Sequence, residues 1–182
     1  MTAGPASAHE ASAGFGGGFL SGFLHPMLGL DHLTAMIAVG IWGAFLRKPA
    51  IWVLPIAFPL VMAFGGAVGV AGVELPYIEP VIAASSVVIG LAILSAWRAQ
   101  VWLAALIVSV FAIFHGFAHG TELPHSANAA AFGMGFVIAT GILHLTGIVF
   151  GLLVNRPGGE IALRTAGGVI AVTGAGFLFG VL

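Results

Sequence analysis

Apolar residues run along this chain in six long stretches, roughly 15 to 46, 50 to 71, 80 to 97, 101 to 119, 128 to 153 and 162 to 182. A helix needs about 17 to 25 mainly apolar residues to cross a bilayer, so the pattern predicts about six transmembrane helices. The breaks between them are short and hold Pro, Gly and the few charges: RKP at 47–49, GVELPYIEP at 72–80, WRAQ at 97–100, HGTELPHSANA at 119–129 and NRPGGEIALR at 155–164. Such short connections imply one compact bundle. The expected fold class is an all-α polytopic membrane protein, with 1–14 as an outer N-terminal tail and 15–182 as a single transmembrane domain. The first apolar stretch also contains Pro26 and Gly29, so its helix is expected to be interrupted there.

Composition narrows the class further. With 60% hydrophobic and 6% charged residues, the chain has too few charges to cover a soluble surface. Its net charge of -1 excludes the basic footprint of a nucleic-acid binder. The absence of cysteine removes thiolate ligands, disulfides and iron–sulfur clusters. No nucleotide-binding motif is present, so the chain is not expected to hydrolyse ATP.

The basic residues fall on one side of the expected bundle: Arg47 and Lys48 in the first loop, Arg98 in the third, Arg156 and Arg164 in the fifth. The positive-inside rule makes that side cytoplasmic and places both termini outside. Glu74, Glu79 and Glu122 then lie in or near the outer loops, where an acidic mouth raises the local cation concentration, although exposed charge is screened beyond about 8 Å at physiological salt. An outward N-terminus calls for a signal peptide or its own insertion route, yet Met1 to Ala8 has neither a basic start nor an apolar stretch. ASA at 6–8 resembles a signal-peptidase site, and a mature chain is expected to begin near His9. His9 and the new terminal amine would then serve as an outer capture point for metal.

Two clusters of ionisable residues interrupt the apolar stretches. In HPMLGLDH, His25 and His32 are seven residues apart and share a face of a continuous helix, with Asp31 about 100° away from His32. In FHGFAHGTE, His115 and His119 form an i, i+4 pair, with Glu122 one turn further. This spacing lets one helix offer two imidazoles to one metal. Counting about 1.5 Å per residue from the inner helix ends puts Asp31 roughly 22 Å and His115 roughly 21 Å above the inner surface. Ionisable side chains at such depth are costly and are retained for ion handling or a buried partner. His144, in a GILHLTG setting near Thr140, and Met36, one turn after His32, are candidates for a supporting or inner-path role. For Met36 the ordinary role is packing, as it is for Met27 and Met134. His125 reads as a solvated loop residue. Small-xxx-small spacings such as Gly18 to Gly22 and Gly176 to Gly180 predict close helix packing within the chain and leave the oligomeric state open.

HPMLGLDHLTAMIAVGIW and FHGFAHGTE resemble the signatures of the HupE/UreJ family of bacterial nickel and cobalt permeases, and the resemblance covers nearly the whole chain. The N-terminus departs from it, since family members typically begin with a full signal peptide. The resemblance implies a multi-pass protein of the bacterial inner membrane that transports Ni2+ or Co2+ as substrate, with no permanent cofactor, and it puts the functional positions at His25, Asp31, His32, His115, His119 and Glu122. Copper and zinc outrank or rival nickel on such ligands, so Zn2+ is a competing substrate. Two readings of other classes use the same residues: a membrane-embedded zinc hydrolase with Asp31 or Glu122 activating water, and a bis-histidine haem protein.

Overall fold

A computed structural model describes residues 18–123 and 128–182. His9, the ASA segment and His125 lie outside the described residues. The described residues are all-helical, with no strand among them: α1 (Phe19–Leu28), α2 (Leu30–Leu46), α3 (Ala50–Val70), α4 (Ile78–Leu94), α5 (Val101–Thr121), α6 (Ala129–Gly151), a 3-10 turn (Leu152–Asn155) and α7 (Gly159–Leu178). Four helices are long and apolar enough to cross a membrane: α3, α5, α6 with its 3-10 extension, and α7. The α1–α2 pair counts as a fifth span only if its two bent halves are taken together, and α4 is a shorter apolar helix of 17 residues.

The first apolar stretch breaks at Gly29, where the two halves meet at 83°. Pro26 stays inside α1, while Gly29 takes an extended conformation (φ -83°, ψ 111°) and serves both as the end of α1 and the start of α2. The new helix begins at once, since the Leu33 amide donates to the Gly29 carbonyl at 2.9 Å. First-turn amides lack intrahelical acceptors. Asp31 supplies one: its Oδ1 accepts from the His32 amide at 2.8 Å, at the end of the helix where a negative charge is favourable.

Glycines set the closest helix contacts. A Cβ at Gly116 or Gly120 of α5 would be driven into the Met62 or Gly66 carbonyl of α3, and one at Gly65 into the Ile113 carbonyl. Neighbouring residues on a helix are about 100° apart, so in FHGFAHG the glycines pack against α3 while the preceding histidines turn toward α1 and α2. On α6, Gly135 meets the Phe19 carbonyl and Gly147 the Ile37 carbonyl, which seats both halves of the broken helix against it. The expected pair Gly18 and Gly22 is corrected in part: Gly22 abuts the Phe132 carbonyl, but Gly18 faces open space. Gly180 lies beyond α7 with φ +66° and packs against nothing nearby.

Contacts between helix ends gather basic residues at one end of the bundle. The Arg98 guanidinium lies 5.2 Å from the centre of the Phe45 ring, and Arg164 Nε donates to the Leu94 carbonyl at 2.8 Å. Trp42 Nε1 donates to the Trp97 carbonyl at 3.3 Å. Glu79, in the first turn of α4, and Glu122, after the last turn of α5, mark the opposite, acidic end. Outward faces are apolar: Trp52, Ile56, Leu60 and Phe64 form an exposed i, i+4 stripe along α3, and Trp102, Leu106 and Val110 another along α5. Only lipid solvates such stripes well.

Candidate metal site

The break in the first apolar stretch brings α1 and the start of α2 against the upper part of α5, and the two histidine motifs meet there. The His119 ring lies between those of His25 and His32, with centroid distances of 4.6 and 4.5 Å. His32 in turn lies 4.9 Å from His115. Glu122 completes the acidic end of this row, with Oε2 3.8 Å from His25 Nε2. One ligand atom each from His25, His119 and Glu122 lie within 4.8 Å of one another. Ligands around a tetrahedral metal with bond lengths of about 2.1 Å are about 3.4 Å apart, so an inward movement of about 1 Å by each brings these three to coordination spacing. The row thus has an outer part, His25, His119 and Glu122, and a deeper part, His32 and His115.

The deeper pair has its hydrogen bonds arranged for ligation. Asp31 Oδ1 lies 2.9 Å from His32 Nδ1. A carboxylate only accepts, so the ring proton sits on Nδ1 and the Nε2 lone pair is left open. His115 Nδ1 lies 3.0 Å from the Phe111 carbonyl, which fixes the same tautomer. Both Nε2 atoms are buried without a hydrogen-bond partner among the described residues. Buried polar atoms are normally satisfied, and metal-binding histidines normally donate their other nitrogen in this way. Asp31, expected from sequence as a ligand, has its Oδ1 engaged in orienting His32. Replacing it with Asn is expected to leave the fold intact and to weaken Ni2+ binding by about 10- to 100-fold, as read by calorimetric titration of the reconstituted chain.

Three phenylalanines frame the row, and none of them is marked in the sequence. Phe136 lies 4.2 Å from His119, Phe132 lies 5.9 Å from His25, and Phe58 lies 5.5 Å from His115 by ring centroids. Apolar walls of this kind exclude water and strengthen the charge interactions inside. Among so many apolar positions a phenylalanine carries no mark of its own, although Phe132 and Phe136 do stand one turn apart. A cavity of about 250 Å³ opens beside His119, bordered by Met62, Gly66, Gly116, Phe132 and Phe136. Met36 is fully buried in the main apolar core. His144 is separate from the row, with Phe58 between it and His115.

The model of the family described as HupE / UreJ protein matches residues 1–177. The chain belongs to the HupE / UreJ family. Protein HupE from Rhizobium leguminosarum bv. viciae is 41% identical over 176 residues, which span 97% of this chain and 92% of that protein. No solved structure matches. Membership in the HupE / UreJ family bears out the resemblance carried by the two histidine motifs.

Proposed function

We propose that this chain carries a divalent transition-metal cation, Ni2+ first and Co2+ next, across the bacterial inner membrane into the cytoplasm by secondary or facilitated transport. The observation that supports this most strongly is the pair of buried, unpartnered Nε2 atoms on His32 and His115, each ring fixed by a hydrogen bond at its other nitrogen. Six spans, with the broken helix as the first and α4 as the third, put the basic end in the cytoplasm and both termini outside. A hydrated cation is concentrated at the acidic end by Glu79 and Glu122. It sheds part of its water to His25, His119 and Glu122, then passes to His32 at the start of α2 and His115 on α5. Broken helices hold ions in this way in transporters, because their ends offer backbone groups inside the membrane.

Imidazole and carboxylate suit late first-row metals. The reading is of a permease, with the metal as cargo and no permanent cofactor, and Zn2+ is the expected competitor. The ligands are neutral imidazoles, so protons compete with metal. Ni2+ affinity is therefore expected to be lower at pH 5.5 than at pH 7.5, falling through about pH 6, by up to about tenfold per pH unit for each imidazole that must lose a proton. Calorimetry on the chain in lipid nanodiscs, run at both pH values, checks this. Proton release on Ni2+ binding is expected, and an affinity unchanged between pH 7.5 and 5.5 would count against histidine ligation.

A further inference from the structure

His144 and Thr140 lie outside the row of imidazoles and have no part in the steps above, yet they are among the most buried polar residues described, at 1% and 0% exposure. Both ring nitrogens of His144 and the Thr140 hydroxyl lack a hydrogen-bond partner among the described residues. Four residues apart on α6, they share one face. The Thr140 hydroxyl is an exception among the described threonines. Thr34, Thr121, Thr146, Thr165 and Thr173 each donate to a carbonyl of the preceding turn, which is the ordinary resting place of a helical threonine.

A third oxygen is available from α3. Pro59 has no N–H, so the Pro55 carbonyl four residues earlier loses its helical donor. That carbonyl lies beside the His144 ring, short of hydrogen-bonding geometry. The Phe58 ring, from the same turn, stands 5.4 Å from His144 and 5.5 Å from His115. The two histidines are therefore no more than about 11 Å apart by ring centroids, with one aromatic ring between them. His144 is seven residues from the end of α6, or about 10 Å along the axis toward the basic end.

We propose that His144, Thr140 and the Pro55 carbonyl form a second, inner cation station, reached from His115 past Phe58. The inference rests on the transport reading above and adds a site to it. Its donors are one imidazole nitrogen, one hydroxyl and one backbone carbonyl, all neutral, whereas the outer row carries Glu122 and the Asp31-supported His32. A cation moving inward thus leaves a charged ligand set for a weaker neutral one. Conduction requires this, since a site that binds too tightly does not release.

The test uses the full chain in nanodiscs, with Co2+ as the binding probe, and in proteoliposomes, with Ni2+ flux as the second readout. His144→Asn and the near-isosteric Thr140→Val are compared with wild type, with Thr140→Ser as the hydroxyl-restoring control. Wild type is expected to bind one more Co2+ than His144→Asn, with the affinity of the remaining sites unchanged within about threefold. Flux is expected to fall at least tenfold in His144→Asn and severalfold in Thr140→Val, and to recover in Thr140→Ser. His144→Asn and Thr140→Val that keep wild-type stoichiometry and flux would overturn the inner station while leaving transport standing. So would an equal weakening of every site, which is the mark of a packing role. A wild-type chain that neither binds Co2+ nor moves Ni2+ would overturn both readings together.

Discussion

Replacing His32 with Ala is expected to reduce saturable Ni2+ uptake by proteoliposomes to the rate of empty vesicles, a loss of at least about 100-fold. The His32 ring neighbours both His115 and His119, so it joins the outer and deeper parts of the row. Removing it deletes a proposed ligand and also leaves Asp31 without the ring it orients. Each tenfold in affinity is about 1.4 kcal/mol, and an oriented, desolvated ligand is worth more than two such steps. The partly buried Asp31 carboxylate would also lose the ring N–H that balances it, which adds a desolvation cost. Uptake of the radioactive ion over seconds, with the variant checked for a monodisperse profile in detergent, provides the measurement. Retention of half the wild-type rate would show that the metal path runs elsewhere.

The second large effect is on the fold. Gly116→Ala is expected to destabilise the chain by about 2 kcal/mol or more, since overpacking a tight contact typically costs about 1 to 3 kcal/mol and here the obstacle is the Met62 backbone carbonyl of α3. A backbone cannot rotate aside as a side chain can. Gly141→Ala, on α6, meets nothing within 4 Å and is expected to shift stability by less than about 0.5 kcal/mol. Unfolding of both variants in mixed micelles, followed by far-ultraviolet circular dichroism, compares them directly. Because Gly116 follows His115, its substitution also displaces the metal row, and uptake is expected to fall with stability.

The helical class, the break in the first apolar stretch and the two histidine motifs were all legible in the sequence, because each has a local signature. Length of apolar run identifies a membrane helix, and a histidine or aspartate inside one stands out by its cost. The location of the break was less legible. Pro26 is the stronger helix breaker on paper, but proline is tolerated inside a membrane helix when neighbours cover the freed groups, and it is Gly29 that takes the extended conformation. The role of Asp31 was hidden for a different reason. Spacing says that a carboxylate is near a histidine, but whether its oxygen faces a metal or the His32 Nδ1 is a matter of rotamer. The phenylalanines and packing glycines were hidden by sameness. In a chain where both the lipid-facing and the buried surfaces are apolar, Phe58 on the inside and Phe64 on the outside look alike, and Gly116 cannot be told from Gly141 until α3 is seen against it.

The most decisive measurement is the concentration dependence of Ni2+ entry into proteoliposomes holding only this chain, with Co2+ and Zn2+ as competitors. Saturable entry inhibited by Co2+, and absent from vesicles without protein, is the predicted result. Stoichiometric metal binding by folded protein with no entry above the empty vesicles would contradict transport and would favour a membrane-embedded hydrolase built on the same histidines.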